Sequence, residues 1–123
     1  MKNLINWFEI PVSDMSRAVK FYCETLSLEK MEQANMGEAQ MSFFPHKDAN
    51  VSGALVKHNG FEPGEKGVLI YFDGGDDLNN VLAKVEEAGG KVVQQKTQIT
   101  PEIGHYGIFQ DTEGNRLGVH SHK

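Results

Sequence analysis

The chain has one cysteine, two arginines and no hydrophobic run long enough to cross a bilayer. Each scarcity removes a class of function. A single thiol, Cys23, forms no internal disulfide and no paired redox motif, so a cytoplasmic setting is expected. Its apolar helical neighbours make it a packing residue. Arg17 and Arg116 are the only guanidinium groups and the net charge is −5, which argues against nucleic acid and anionic membrane surfaces as partners. The opening residues carry no apolar signal-like core, and no membrane anchor is expected. A phosphate-binding glycine loop, a dinucleotide fingerprint and a nucleophile elbow are also missing. What remains is an ordinary globular composition, 39% hydrophobic and 24% charged over 123 residues, which predicts one domain with a real core.

The chain reads twice. Phe8, Ile10 and Val12 alternate with Trp7, Glu9 and Pro11, the period of a strand with one apolar side. Ser13 and Asp14 supply helix-capping side chains, and Met15, Ala18, Val19, Tyr22 and Leu26 follow at helical spacing. Val68, Ile70 and Phe72 alternate in the same way, with Gly74 to Asp77 as turn and cap. Leu78, Val81, Leu82 and Val85 repeat the helical stripe, which Gly89 and Gly90 end. Strands are expected at 28–33, 39–45 and 53–58 in the first half, and at 91–97, 105–111 and 116–121 in the second. The pattern predicts an α+β fold of two βαβββ modules, residues 1–58 and 67–123, joined by a turn-rich linker at 59–66. Two copies of about sixty residues are too few and too long for a solenoid.

If each helix covers one face of its sheet, the opposite face is free to curve into a cup. Strand parity then assigns Trp7, Glu9, Gly67, Leu69, Tyr71, Gly118 and His120 to that face. Glu9, between Phe8 and Ile10, faces either water or a ligand. Trp7 offers a flat platform with one N–H donor, while Gly67 and Gly118 leave room opposite. Glu9, Tyr71 and His120 are polar handles in an otherwise apolar cup, the composition of a small-molecule pocket.

Three segments carry a family resemblance: WFEIPVSDMSRAVKFY at 7–22, VEEAGGKV at 85–92 and DTEGNR at 111–116. Together they resemble the vicinal oxygen chelate superfamily, which holds glyoxalase I, bleomycin-resistance proteins, fosfomycin-resistance enzymes and extradiol dioxygenases. The resemblance implies cupped mixed or antiparallel sheets with helices outside the cup, and a homodimer. In metal-dependent members His and Glu side chains from the first and last strand of each module hold a divalent ion. Carried onto this chain, those positions fall on Trp7, on one of Ala54 to Val56, on Gly67 and on Gly118. None supplies the imidazole, thiolate or carboxylate that such an ion requires. The resemblance therefore implies a metal-free member that binds a small organic molecule through Trp7, Glu9, Leu69, Tyr71, Gly118 and His120.

An enzyme is the alternative: a glyoxalase-like lyase, isomerase or dioxygenase using a non-standard metal site or none. Glu9 and His120 would then be the catalytic acid–base pair, with Tyr71 polarising a carbonyl. The parity of Glu9 and His120 also admits an alternative metal site completed by His58 or His105. His46 reads as surface, His122 as solvated tail, and the 100–104 segment as a hairpin connection or a lid.

Overall fold

The computed structural model describes residues 3–123. The elements run β1 (Trp7–Pro11), α1 (Met15–Thr25), β2 (Glu32–Met36), β3 (Ala39–Phe43) and β4 (Ser52–Lys57). The second half repeats them as β5 (Tyr71–Asp73), α2 (Asn79–Val85), β6 (Lys91–Thr100), β7 (Gly104–Gln110) and β8 (Arg116–Ser121). Two four-stranded sheets result, in the orders β1-β4-β3-β2 and β5-β8-β7-β6. In each, the first strand lies at an edge, parallel to the last, and the other pairings are antiparallel. This is the α+β arrangement of two βαβββ modules. Among the described residues no helix is long and apolar enough to cross a membrane.

Local chemistry sets the helix ends. The Asp14 carboxylate accepts from the Arg17 backbone N–H at 3.0 Å and caps α1. At α2 the Asp77 carboxylate accepts from the Asn79 N–H at 2.9 Å, and Gly89 adopts φ +103° just beyond the helix.

Ala18, Phe21, Tyr22 and Thr25 form the buried face of α1. This face is broader than a single apolar stripe because α1 meets both modules. The Phe21 ring lies 6.0 Å from that of Phe109 on β7, while Phe8 of β1 meets Phe72 of β5 at 5.9 Å. Ile10, Leu55, Leu78, Val85, Leu117 and Val119 join the same core. The helix-bearing faces of the two sheets therefore turn toward one another. Their open faces diverge, and the helices lie outside the cup side of each sheet. Each fully buried aromatic contributes about 1.5–3 kcal/mol of transfer free energy to this shared core.

Three expectations need correction. The second strand begins at Glu32 rather than at Leu28. Leu28 and Met31 pack on the core from irregular chain, and the strand itself is an exposed edge carrying almost no apolar signal. The first strand of the second module is shorter than its alternation suggests. Gly67, at φ +103°, lies outside β5, and Val68 is 93% exposed instead of packed. Pairing starts where the Gly118 N–H donates to the Ile70 carbonyl at 2.8 Å. Finally, Phe21 belongs to the buried face of α1, although a single helical row omits it.

Candidate functional site

The alternation of β1 sends Ile10 into the core, with Phe8 packed against it, and leaves Trp7 and Glu9 on the open face. Because β1 runs parallel to β4 with Glu9 opposite Ala54 and Pro11 opposite Val56, Ala54 and Val56 share that face while Leu55 turns inward. The second family position thus falls on an alanine or a valine. The Trp7 indole N–H donates to the Glu9 carboxylate at 3.3 Å, and the Trp7 ring tilts against Phe43 with centroids 6.0 Å apart.

Beside this pair lies a pocket of about 410 Å³. Met36, Ala39, Met41, Val56 and Phe61 form its apolar walls, and Glu9 and His58 are its polar members. An isolated bridge between His58 and Phe61 folds the linker back over the sheet and brings the Phe61 ring to the pocket. The His58 Nδ1 sits 2.8 Å from the Asn59 carbonyl. A carbonyl only accepts, so Nδ1 carries the proton and Nε2 of the neutral ring is an acceptor. Sequence reasoning missed Met36, Met41 and Phe61 as site residues and named His58 only as completing an alternative metal site with Glu9. Met36 comes from the edge strand β2, Met41 from β3 and Phe61 from the linker.

On the second sheet Tyr71 pairs with Gly118 and Asp73 with His120. A Cβ at Gly118 would run into the Tyr71 ring, so the aromatic side chain occupies the space that a metal-binding glutamate would need. Tyr71 is half exposed on this open face, and Leu69 lies half-buried in the loop before β5. The His120 Nε2 donates to the Ile103 carbonyl at 2.7 Å. That contact, with the Ile103 N–H donating to the Thr100 hydroxyl at 2.9 Å, pins the 100–104 segment as a hairpin turn between β6 and β7.

Within one chain, Trp7 and Glu9 stand on one sheet while Tyr71, Gly118 and His120 belong to the other, with Leu69 in the loop that leads into it. Among the described residues no hydrogen bond links Glu9 with His120. Nor do three or more His, Cys, Asp or Glu side chains converge as a metal site among them, so Glu9, His58, His105 and His120 form no such cluster. The four family positions, now Trp7, Ala54 or Val56, Gly67 and Gly118, carry no donor atom suited to a divalent ion. These residues do not fit the family's metal.

A polar latch joins the modules at the turn between β7 and β8. Glu113 accepts from the backbone N–H groups of Ser13 and Asp14, both at 2.8 Å, and binds the Arg17 guanidinium at 2.7 and 3.0 Å. Burial opposes its charge, but Arg17, the two backbone donors and the Thr112 hydroxyl outweigh burial and hold the carboxyl at about 2. Two residues earlier, Asp111 accepts from the buried Tyr22 hydroxyl at 2.6 Å and from Asn115. Here burial dominates, and the Asp111 carboxyl sits above its ordinary range despite those bonds. Burial and the adjacent Asp111 likewise push the Tyr22 phenol well up. The Asn115 amide donates to the Pro11 carbonyl at 2.7 Å, which fixes the end of β1. Cys23 is half-buried against the core, and burial raises its thiol, as suits a packing residue.

Comparison with known proteins agrees with this architecture. A "Glyoxylase-like domain-containing protein" from Didymella fabae is 29% identical over 117 residues, covering 94% of this chain and 91% of the relative. TnmS3, described as an antibiotic binding protein from Streptomyces sp. CB03234, is 28% identical with a TM-score of 0.67, covering 96% of this chain and 94% of that one. The fold also matches glyoxalase I from Zea mays at 17% identity and a TM-score of 0.67, over 94% of this chain and 43% of the maize protein. The fosfomycin resistance protein FosX from Listeria monocytogenes matches at 13% identity and a TM-score of 0.66, over 98% and 91% of the two chains. A family profile matches residues 4–119, and the chain belongs to the Glyoxalase/Bleomycin resistance protein/Dioxygenase superfamily.

Proposed function

We propose that this protein binds a small organic molecule on the open faces of its sheets without using the family's metal. The observation that carries the reading is the replacement of a donor set by a pocket. Where an ion would need four ligands stand Trp7, an alanine or valine, Gly67 and Gly118, and beside Trp7 lies an apolar pocket of about 410 Å³ with Glu9 and His58 on it. Size and lining suit a compact, largely apolar ligand. TnmS3, similar at 28% identity, is described as binding an antibiotic, which supports the same class of role here. A cytoplasmic setting, favoured by the lone Cys23, is part of this reading.

The binding unit is a homodimer. The open faces of one chain diverge, so one copy presents two half-cups. β1 and β5 are both sheet edges, and exposed apolar residues mark each: Leu4, Ile5 and Trp7 at the first, Val68 and Tyr71 at the second. A two-fold axis that lays β1 of one copy beside β5 of its partner covers these edges and closes two cups. Trp7 and Glu9 of one copy then face Leu69, Tyr71, Gly118 and His120 of the partner subunit. The same closure would bring Glu9 and His120 into one cavity if the cup also performs acid–base chemistry.

The test is a calorimetric titration with fused-ring aromatic compounds, run beside metal analysis of protein purified without chelator. Saturable binding at two sites per dimer, with no stoichiometric ion, is the expected result. A stoichiometric divalent ion, or no saturable binding across the set, rejects the reading.

A further inference from the structure

We infer that the pocket on the first sheet selects ligands carrying a cationic hydrogen-bond donor beside their apolar body, and that Glu9 is the specificity-determining residue. The inference rests on the small-molecule reading above and adds the sign of the ligand's charge.

The donors and acceptors at the pocket set this preference. The ionised Glu9 carboxylate only accepts. Its one hydrogen-bonding neighbour among the described residues, the Trp7 indole N–H at 3.3 Å, is neutral and leaves most of its lone pairs free. Among the described residues the ion pairs are Arg17 with Glu113 and Lys96 with Asp77, and neither involves Glu9. The second polar side chain, His58, donates its Nδ1 proton to the Asn59 carbonyl, so in the neutral tautomer Nε2 is the acceptor it offers the pocket. Both polar side chains of the pocket are therefore acceptors, one of them charged, and the single donor beside them, the Trp7 N–H, is already committed to Glu9.

An anionic ligand would meet the Glu9 charge with no cation to offset it, since across the proposed dimer the partner's Tyr71 hydroxyl is a neutral donor. A neutral acceptor would leave the Glu9 carboxylate unmatched, which costs affinity once water is excluded. An ammonium or amidinium group supplies both the missing charge and the missing donors, and a charge-assisted bond is the stronger kind. The apolar surroundings favour the same ligand. The ring of Phe61 attracts a cation through its quadrupole, and the thioethers of Met36 and Met41 adapt to a flat hydrocarbon body. The chain's net charge of −5 attracts cations over longer range.

The experiment compares three probes of nearly equal shape on the full-length wild-type protein by titration calorimetry: naphthylmethylamine, naphthylmethanol and naphthoate. The amine is expected to bind about tenfold tighter than the alcohol, the naphthoate weakest, with the amine's advantage shrinking as salt rises. Glu9→Gln is expected to bind amine and alcohol alike, and its retained affinity for the alcohol shows that the pocket is intact. Equal wild-type affinities for amine and alcohol, or a preference that survives in Glu9→Gln, overturn the inference and leave the binding role standing. Failure of all three probes to bind the wild-type protein overturns both. Should Glu9→Gln bind neither probe, salt on the wild-type protein decides: an amine preference that narrows supports the inference, and one that does not narrow overturns it.

Discussion

At the scale of single residues, two carboxyl groups are used in opposite electrostatic senses. Asp111 is paired but buried, and its carboxyl is raised; Glu113 is paired at a helix start, and its carboxyl is held at about 2. The Tyr22 hydroxyl is the only side-chain hydroxyl that bonds Asp111 among the described residues, at 2.6 Å. Tyr22→Phe therefore removes a donor from a buried carboxylate, and urea unfolding is expected to show a loss of about 1–3 kcal/mol at neutral pH. The loss should shrink on acidification, because a protonated Asp111 needs that donor less. A cost independent of pH would mean that packing, not the hydrogen bond, is what the phenol contributes. Parity made Trp7 and Glu9 legible as open-face residues from their neighbours Phe8 and Ile10. Phe61 was illegible as a pocket member, since it arrives through a linker bridge that leaves no periodic trace, whereas His58 was legible as a strand end beside Glu9 but as part of a metal site.

At the scale of elements, the start of α1 is capped twice, by its own Asp14 and by Glu113 from the far end of the chain. The Glu113 carboxyl falls from 4.5 to about 2 on folding, so its contribution is complete above pH 4.5 and is lost as pH drops toward 2. Asp111 runs the other way: its raised carboxyl favours the folded state on the acid side, and that contribution disappears as pH rises through its folded value, above 3.8. Glu113→Gln is expected to lower neutral-pH stability by about 1–3 kcal/mol and to flatten the acid limb between pH 4.5 and 2. Thermal melts across that window are the check, and an unchanged acid limb would remove Glu113 from the account. The elements legible in sequence were β1, α1, β3, β4, α2, β6 and the β7–β8 hairpin, most of them with a buried face. β2 was misplaced because an edge strand exposed along most of its length imprints little on its residues, and β5 was drawn too long because Val68 alternates with Ile70 without packing.

At the scale of the whole molecule, the helices cement the modules together and the sheets face outward, and in the proposed binding unit a second copy closes the cup. Val68, at 93% exposure, makes little contact within the chain, and Val68→Asp should leave the protomer fold intact. In a dimer that lays β5 beside the partner's β1, the same substitution buries an unpaired charge. Sedimentation equilibrium is expected to show dissociation to single chains, with ligand affinity reduced at least about tenfold. A Val68→Asp protein that remains dimeric would move the interface elsewhere. The repeat itself was legible from two matching strand-and-helix patterns. The direction in which the two cups point was not, because it depends on Phe21 reaching across to Phe109, a contact between residues far apart in the chain.

The Glu113 latch also bears on how the chain is made. Ser13 and Glu113 are 100 positions apart, so the first helix leaves the ribosome long before the carboxylate that completes its cap. Pairings of such separation are slow to form because the loop between them must close first. A chain that stops before the β7–β8 turn lacks the outer cap on the start of α1, so limited proteolysis is expected to cut there faster than in the whole chain.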